Sequence, residues 1–385
     1  RATSRSFGRR PAGGTVPRSL HRPLLAMIVI AVLAAACSRV DRTTETSPAP
    51  ASTTTASTTT DAAAAVTSAS ASADPASASP VADEREFVVY GDAEFDVAVT
   101  NDVVYAQALS HESWGSDEAK TIDLLLDVYE PVRDDDVVMP AVVMIHGGGF
   151  TGGSKEHQAL SDMAYWFAER GWVAYSINYR LAGDIGTLPA DYPVPPAEAN
   201  AKQQEQVRAL YPACRDAKAA IRWVKATADD YSIDPELVSV VGGSAGSNLA
   251  ITLGVSDEGD CTDDISLDDD PTLATTNLDQ SSSVATVIDH WGGSAVLTIV
   301  EMLESGTRFD ATDAPMSIVH GTEDPTVAFS EAERLRAAYD ETGVPYAWHP
   351  LEGKGHSAWG ATIDGRPLVE SAADFIITIQ DLELS

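Results

Sequence analysis

Six apolar runs recur between Ala141 and Pro350, and their spacing most constrains how this chain can fold. They are AVVMIHGGGF (141–150), WVAYSINYR (172–180), LVSVVGGSAG (237–246), VATVIDHWGG (284–293), PMSIVHGTED (315–324) and PYAWHP (345–350). Such near-continuous runs mark strands buried on both faces. Helical patterns lie between them. HQALSDMAYWFAERG sets Leu160, Met163, Ala164 and Phe167 on one side and stops at Gly171. PACRDAKAAIRWVKATADDY, from Pro212, does the same with Ala217, Ala220, Ile221 and Val224. NLAITLGV, AFSEAERLRAAYDETG and the closing LVESAADFIITIQDLE read as further helices. Alternation through about 240 residues predicts an α/β fold with a mostly parallel central sheet and helices on both faces. FVVY, EFDVAV, DVVYAQAL and TIDLLLDVYEP come earlier and predict an antiparallel N-terminal edge. Leu181–Gln206 and Asp257–Ser283 read as long loops.

The third run ends in Gly242-Gly243-Ser244-Ala245-Gly246, a G-x-S-x-G pattern between a strand and a helix. A serine in that turn adopts a strained backbone, and small neighbours relieve the crowding. A serine hydroxyl needs a general base to attack, and the base needs an acid to orient it. Asp324 follows the fifth run and His356, in LEGKGHSAW, follows the sixth. Glu323 is the rival for the acid, beside Asp324.

Taken in order, HGGGF, NYRL, YPACRDAKAAIRWV, GGSAG, HGTEDPTV and GKGHSAW resemble the carboxylesterases and lipases of the α/β-hydrolase superfamily. The likeness is to hormone-sensitive-lipase-like and bacterial feruloyl-esterase-like (BD-FAE-like) esterases, from about Ile122 onward. It implies Ser244, Asp324 and His356 as the catalytic residues, and an oxyanion hole from the N–H groups of Gly148, Gly149 and Ala245. His146 is then expected to shape the oxyanion loop, and His320 to pack or hydrogen-bond beside the acid. The strand-like segment before HGGGF implies an α/β-hydrolase fold without a large helical cap. Two residues depart from many relatives: Gly243, where an acid is common, and Ser247, where a glycine is common. Phe150, His290, Trp291 and Trp359 follow motif loops or strand ends and are candidates for the substrate pocket. Trp166 and Trp223 lie in helical patterns and read as core.

The resemblance implies a serine carboxylic-ester hydrolase working through an acyl-enzyme, on short-chain or aromatic esters, from a small molecule or a polymer end. It implies no cofactor and no metal. An amidase such as a formamidase, a serine peptidase, or a non-catalytic surface-binding protein are the alternatives. His111 and His157 have no partners at metal spacing, His349 reads as structural, and the Asp257–Asp270 cluster reads as a solvated loop without the calcium-loop pattern.

The chain ahead of this domain has a different character. Residues 1–36 carry six arginines and no acid, and end in an apolar run of about 13 residues from Leu24. They read as a signal peptide of the lipoprotein type, with Cys37 as the lipidated residue. Residues 37–83 are rich in Ser, Thr, Ala and Pro and read as a disordered tether. Residues 84–385 read as the α/β-hydrolase catalytic domain that the resemblance implies. This predicts an exported protein, lipid-anchored at the cell envelope or otherwise secreted, that meets a membrane only through its anchor. The net charge of −33 argues against nucleic acid and anionic membrane surfaces as partners. In an exported protein the two remaining cysteines, Cys214 and Cys261, are expected to form a disulfide.

Overall fold

This computed structural model describes residues 87–193, 195 and 199–385. The signal segment 1–36, Cys37 and the tether 37–83 lie outside the described residues.

A two-residue strand, β1 (Val88–Val89), precedes the long antiparallel pair β2 (Val97–His111) and β3 (Ala119–Pro131). EFDVAV and DVVYAQAL, read above as separate strands, join into β2. Asp102 takes a left-handed conformation, and the register shifts beside it between Thr100 and Val103, so the strand bulges without breaking. The buried series follows: β4 (Met139–Ile145), helix α1 (Gln158–Ala168), β5 (Val173–Ile177), α2 (Ala201–Ala226), β6 (Ile233–Gly243) and α3 (Ala245–Val255). Then come β7 (Thr286–His290), α4 (Ala295–Glu304), β8 (Met316–Gly321), α5 (Phe329–Thr342) and β9 (Tyr346–Leu351). A short hairpin, β10 (Thr362–Ile363) and β11 (Arg366–Pro367), leads into α6 (Leu368–Gln380). The strand β12 (Glu383–Leu384) then pairs with β1.

The main sheet has eight strands in the order β2-β3-β5-β4-β6-β7-β8-β9. β3 pairs antiparallel with both β2 and β5, and every pairing from β5 to β9 is parallel. The apolar runs are continuous because alternate residues feed two cores. Ala141, Val143 and Ile145 of β4 face a core shared with α2, α3, α4 and α5. Val142 and Met144 face a second core built with α1 and α6. Among the described residues no large helical cap covers the C-terminal ends of the strands.

Three features differ from the sequence reading. Helix α2 starts at Ala201, eleven residues before Pro212, so the end of the Leu181–Gln206 segment is helical. Asn200 and Gln203 close a reciprocal capping box there, each side chain bonded to the other's backbone N–H at 3.0 Å. Helix α4 was not foreseen; Ala295–Val300 is buried on every side and shows no polar face. Trp166 and Trp223 are only half-buried, packed against the cores from outside.

Cys214 of α2 is disulfide-bonded to Cys261. The acidic loop is less solvated than its composition implies. Asp260 and Asp270 are buried, paired with Arg308 at 2.8 Å and Arg215 at 3.0 Å. Exposed Glu258 holds Arg222 at 3.0 Å. Among the described residues no group of three or more His, Cys, Asp or Glu is placed to hold a metal ion.

Candidate active site

Ser244 is the one residue between the end of β6 and the start of α3. Its backbone is left-handed, with φ 56° and ψ −116°, a conformation that costs a non-glycine residue about 1–3 kcal/mol. The surroundings hold it there. Its N–H donates to the His290 carbonyl at 3.0 Å. The glycines of the pattern let backbones meet: a Cβ on Gly246 would lie 2.0 Å from the Ile145 carbonyl oxygen, and one on Gly242 would lie 2.5 Å from Gly246. The turn therefore puts the Ser244 hydroxyl at the sheet's C-terminal edge, beside the positive end of the α3 dipole.

Asp324 and His356 arrive on the loops after β8 and β9, the second and third strands along the sheet from β6. The Ser244 hydroxyl donates to His356 Nε2 at 2.8 Å. His356 Nδ1 donates to Asp324 Oδ2 at 2.7 Å. The other carboxylate oxygen accepts from the N–H groups of Thr326 at 2.7 Å and Val327 at 3.0 Å. Burial works against ionisation of Asp324, but His320, His356 and these backbone donors outweigh it and hold the carboxyl well below the usual range. Glu323 is exposed.

Behind the acid lies a buried group that sequence reasoning only touched. His320 Nε2 donates to the Val327 carbonyl at 3.0 Å and lies 3.5 Å from Asp324 Oδ2. Burial disfavours its charge, yet Asp324 and Asp289 raise its pKa overall. Asp289 is fully buried and accepts from Ser247 Oγ at 2.7 Å and the Gly292 N–H at 2.8 Å. Ser247 Oγ in turn accepts from the His290 N–H at 2.9 Å. The departure at residue 247 is thus a hydroxyl that fastens the start of α3 to the end of β7. A glycine could not do this.

The HGGGF loop packs against the serine turn. A Cβ on Gly147 would fall 3.2 Å from Ser244 Cβ. His146 Nδ1 donates to the Gly147 carbonyl at 2.7 Å, and burial pushes its pKa down to about 4, so the ring is neutral at pH 7. Thr151 holds the Gly148 carbonyl through its N–H at 3.2 Å and its hydroxyl at 3.3 Å. In a planar trans peptide each N–H points opposite the preceding carbonyl, so these bonds also aim the N–H groups of Gly148 and Gly149. Neither of these, nor the Ala245 N–H, has an acceptor among the described residues. Gly148 and Gly149 have φ of 118° and 61°, values that glycine reaches without strain. The NYR run supports the loop from below. Tyr179 stacks on His146 with centroids 4.4 Å apart and donates to its carbonyl at 2.8 Å, and Asn178 Oδ1 accepts the Lys155 N–H at 2.7 Å. Arg180 makes a buried bidentate pair with Asp216 of the YPACRD run.

The fold has counterparts among solved structures. A thermophilic esterase of Thermogutta terrifontis, solved with butyrate bound, superposes with a TM-score of 0.51 at 23% identity. The match covers 68% of this chain and 91% of that one. The chain has the α/β-hydrolase fold. A family profile described as BD-FAE matches residues 126–193 and 197–308, which contain the HGGGF loop and Ser244 but stop before Asp324 and His356. Esterase LipQ of Mycobacterium tuberculosis is 25% identical over 269 residues, 62% of this chain and 55% of LipQ. The fumonisin B1 esterase of Sphingopyxis macrogoltabida is 31% identical over 125 residues, 32% of this chain and 21% of that enzyme. The chain thus spans about half the length of LipQ.

Three of the four pocket candidates are buried in the core. Phe150, His290 and Trp291 are buried, with at most 2% exposure. His290 ends its strand on the face that packs into the α1–α6 core, beside Trp359, where burial pushes its pKa down to about 3. Phe150 lies against Tyr179. Trp359 alone is half-exposed, with Trp291 edge-on beneath it at 4.7 Å. It also accounts for the second departure. A Cβ on Gly243 would lie 2.6 Å from Trp359 Cζ2, so the indole fills the place of a side chain before the serine.

Proposed function

We propose that this protein is a serine carboxylic-ester hydrolase that works through an acyl-enzyme. The observation that carries the reading is the unbroken hydrogen-bond chain from Ser244 through His356 to Asp324. His356 takes the hydroxyl proton as Ser244 attacks the ester carbonyl, and Asp324 stabilises the imidazolium that forms. Charge then grows on the carbonyl oxygen. The unpartnered N–H groups of Gly148, Gly149 and Ala245 receive it, each worth roughly 3–4 kcal/mol to the transition state. His356 returns its proton to the leaving alcohol. Water, deprotonated by the same imidazole, then releases the acid.

Short-chain or aromatic esters, as small molecules or at polymer ends, are the substrates we favour. The butyrate-bound state of the T. terrifontis esterase supports a short acyl group, and the names of LipQ and the fumonisin B1 esterase support ester chemistry. Among the described residues no large helical cap stands over the site, which favours access for a bulky alcohol. A fluorophosphonate probe is expected to label Ser244 in the parent and not in Ser244→Ala; no labelling of folded parent protein defeats the reading. Turnover of p-nitrophenyl acetate or butyrate should exceed that of aminoacyl-anilides, and the reverse order favours an amidase or peptidase. We further propose export and anchoring through lipidated Cys37. Mass spectrometry of the mature N-terminus tests this, and an unmodified residue 37 rejects it.

A further inference from the structure

The oxyanion loop has a fastening that no sequence motif names. Gln206 sits in the second turn of α2, is 3% exposed, and donates from Nε2 to the Gly149 carbonyl at 2.9 Å. A Cβ on Gly149 would lie 3.2 Å from the same nitrogen, so the amide rests against the bare glycine. The next carbonyl, that of Phe150, accepts from the Ala182 N–H at 2.8 Å. The peptide before Gly149 is fixed by Thr151 and the peptide after it by Gln206. Gly149, lacking a side chain, has broad backbone freedom. With both flanking peptides held, it cannot exchange φ and ψ by a crankshaft rotation, and its N–H keeps one direction.

We propose that Gln206 is a positioning residue for the oxyanion hole: it touches no reacting atom and acts by locking the Gly149–Phe150 peptide. The proposal rests on the ester-hydrolase reading. Its consequence is selective. A loosened hole weakens binding of the tetrahedral oxyanion far more than binding of the planar ester. Gln206→Met keeps length and loses the donor. Gln206→Glu keeps shape, loses the donor and sets a carboxylate against the Gly149 carbonyl.

The test uses the full chain with p-nitrophenyl butyrate, with active sites counted by fluorophosphonate titration and folding checked by thermal melting. Loss of a direct oxyanion donor costs about 10²–10³ in kcat, so loss of an anchor should cost less. We expect kcat to fall about tenfold in Gln206→Met and further in Gln206→Glu, with KM within about twofold of the parent. The inhibition constant of a trifluoromethyl ketone, which gains an oxyanion when Ser244 adds to it, should rise in step with the fall in kcat/KM. Unchanged kcat and ketone affinity in both variants, with an active parent, overturn the proposal alone. So does a loss confined to KM, or one explained by fewer titratable sites and a lower melting temperature. A folded parent with no ester turnover overturns the ester-hydrolase reading, and this proposal with it.

Discussion

Gly243 and Trp359 form a pair whose coupling can be measured. In Gly243→Ala the added Cβ would lie 2.6 Å from Cζ2 and 2.8 Å from Cη2 of the indole. Carbon atoms settle at about 3.5–4.0 Å, so the ring must retreat by about 1 Å. It has little room, because Trp291 at 4.7 Å, His290 at 5.3 Å and His157 at 5.5 Å surround it. Overpacking of this kind costs about 1–3 kcal/mol. Backbone strain adds nothing, since Gly243 does not have a positive φ. The alanine even restricts the unfolded chain, a gain of about 0.4–1 kcal/mol. The net expectation is a loss of about 1–2 kcal/mol. In a Trp359→Ala background the same substitution should become neutral or slightly stabilising, because the obstacle is gone. Denaturant titration of the four proteins gives the coupling directly. Equal costs in the two backgrounds would refute the steric account. Because Trp359 shares a loop with His356, we also expect Gly243→Ala to lower kcat while Ser244 remains labelled.

Gly246→Ala should fail to fold or should lose the serine turn, because its Cβ would fall 2.0 Å from the Ile145 carbonyl oxygen. Wild-type-like melting and labelling would show that the turn can move. The buried neutral rings of His146 and His290 make acid destabilising. Their folded pKa values, about 4 and about 3, lie below the unfolded value of about 6.5, so only the unfolded chain gains protons as pH falls below that value. Their contribution is complete above about pH 6.5 and declines toward their folded pKa values, by about 1.4 kcal/mol per pH unit for each ring. Urea titrations at pH 7, 6 and 5 should show that decline, and His290→Leu should flatten it; identical slopes in the two proteins reject the assignment. Reducing the Cys214–Cys261 bond, which spans 47 residues, should cost about 4 kcal/mol by loop entropy. A Cys214→Ser/Cys261→Ser double variant that melts like the parent refutes this.

The sheet and serine turn were legible because each depends on local signals: unbroken apolar runs, helical spacing, and small residues around one serine. What escaped the sequence depends on what a segment packs against. AVLTIV of α4 is buried all round, so no polar face marks it as a helix. AKQQEQ at the start of α2 looks like loop after a Pro-rich stretch, yet the Asn200–Gln203 box was a readable start signal. Phe150, His290 and Trp291 are near the site in sequence, but the face on which each residue falls decides between wall and core. The oddities at Gly243 and Ser247 had no reading until Trp359 and Asp289 were seen beside them. Gln206 carries no motif, because its partner is a carbonyl 57 positions away.

The sheet order also sets a timetable for synthesis. Ser244 and its base are 112 residues apart in the chain, and the acid precedes the base by 32. At about 5–20 residues per second, the serine waits roughly 6–22 s on the ribosome before His356 exists. The HGGGF loop and the serine turn are synthesised earlier, but the hydroxyl has no His356 to take its proton during that interval. On the ester-hydrolase reading proposed above, a nascent or truncated chain ending before β9 should therefore be silent toward esters, with reactivity arriving only after the edge strand that completes the sheet.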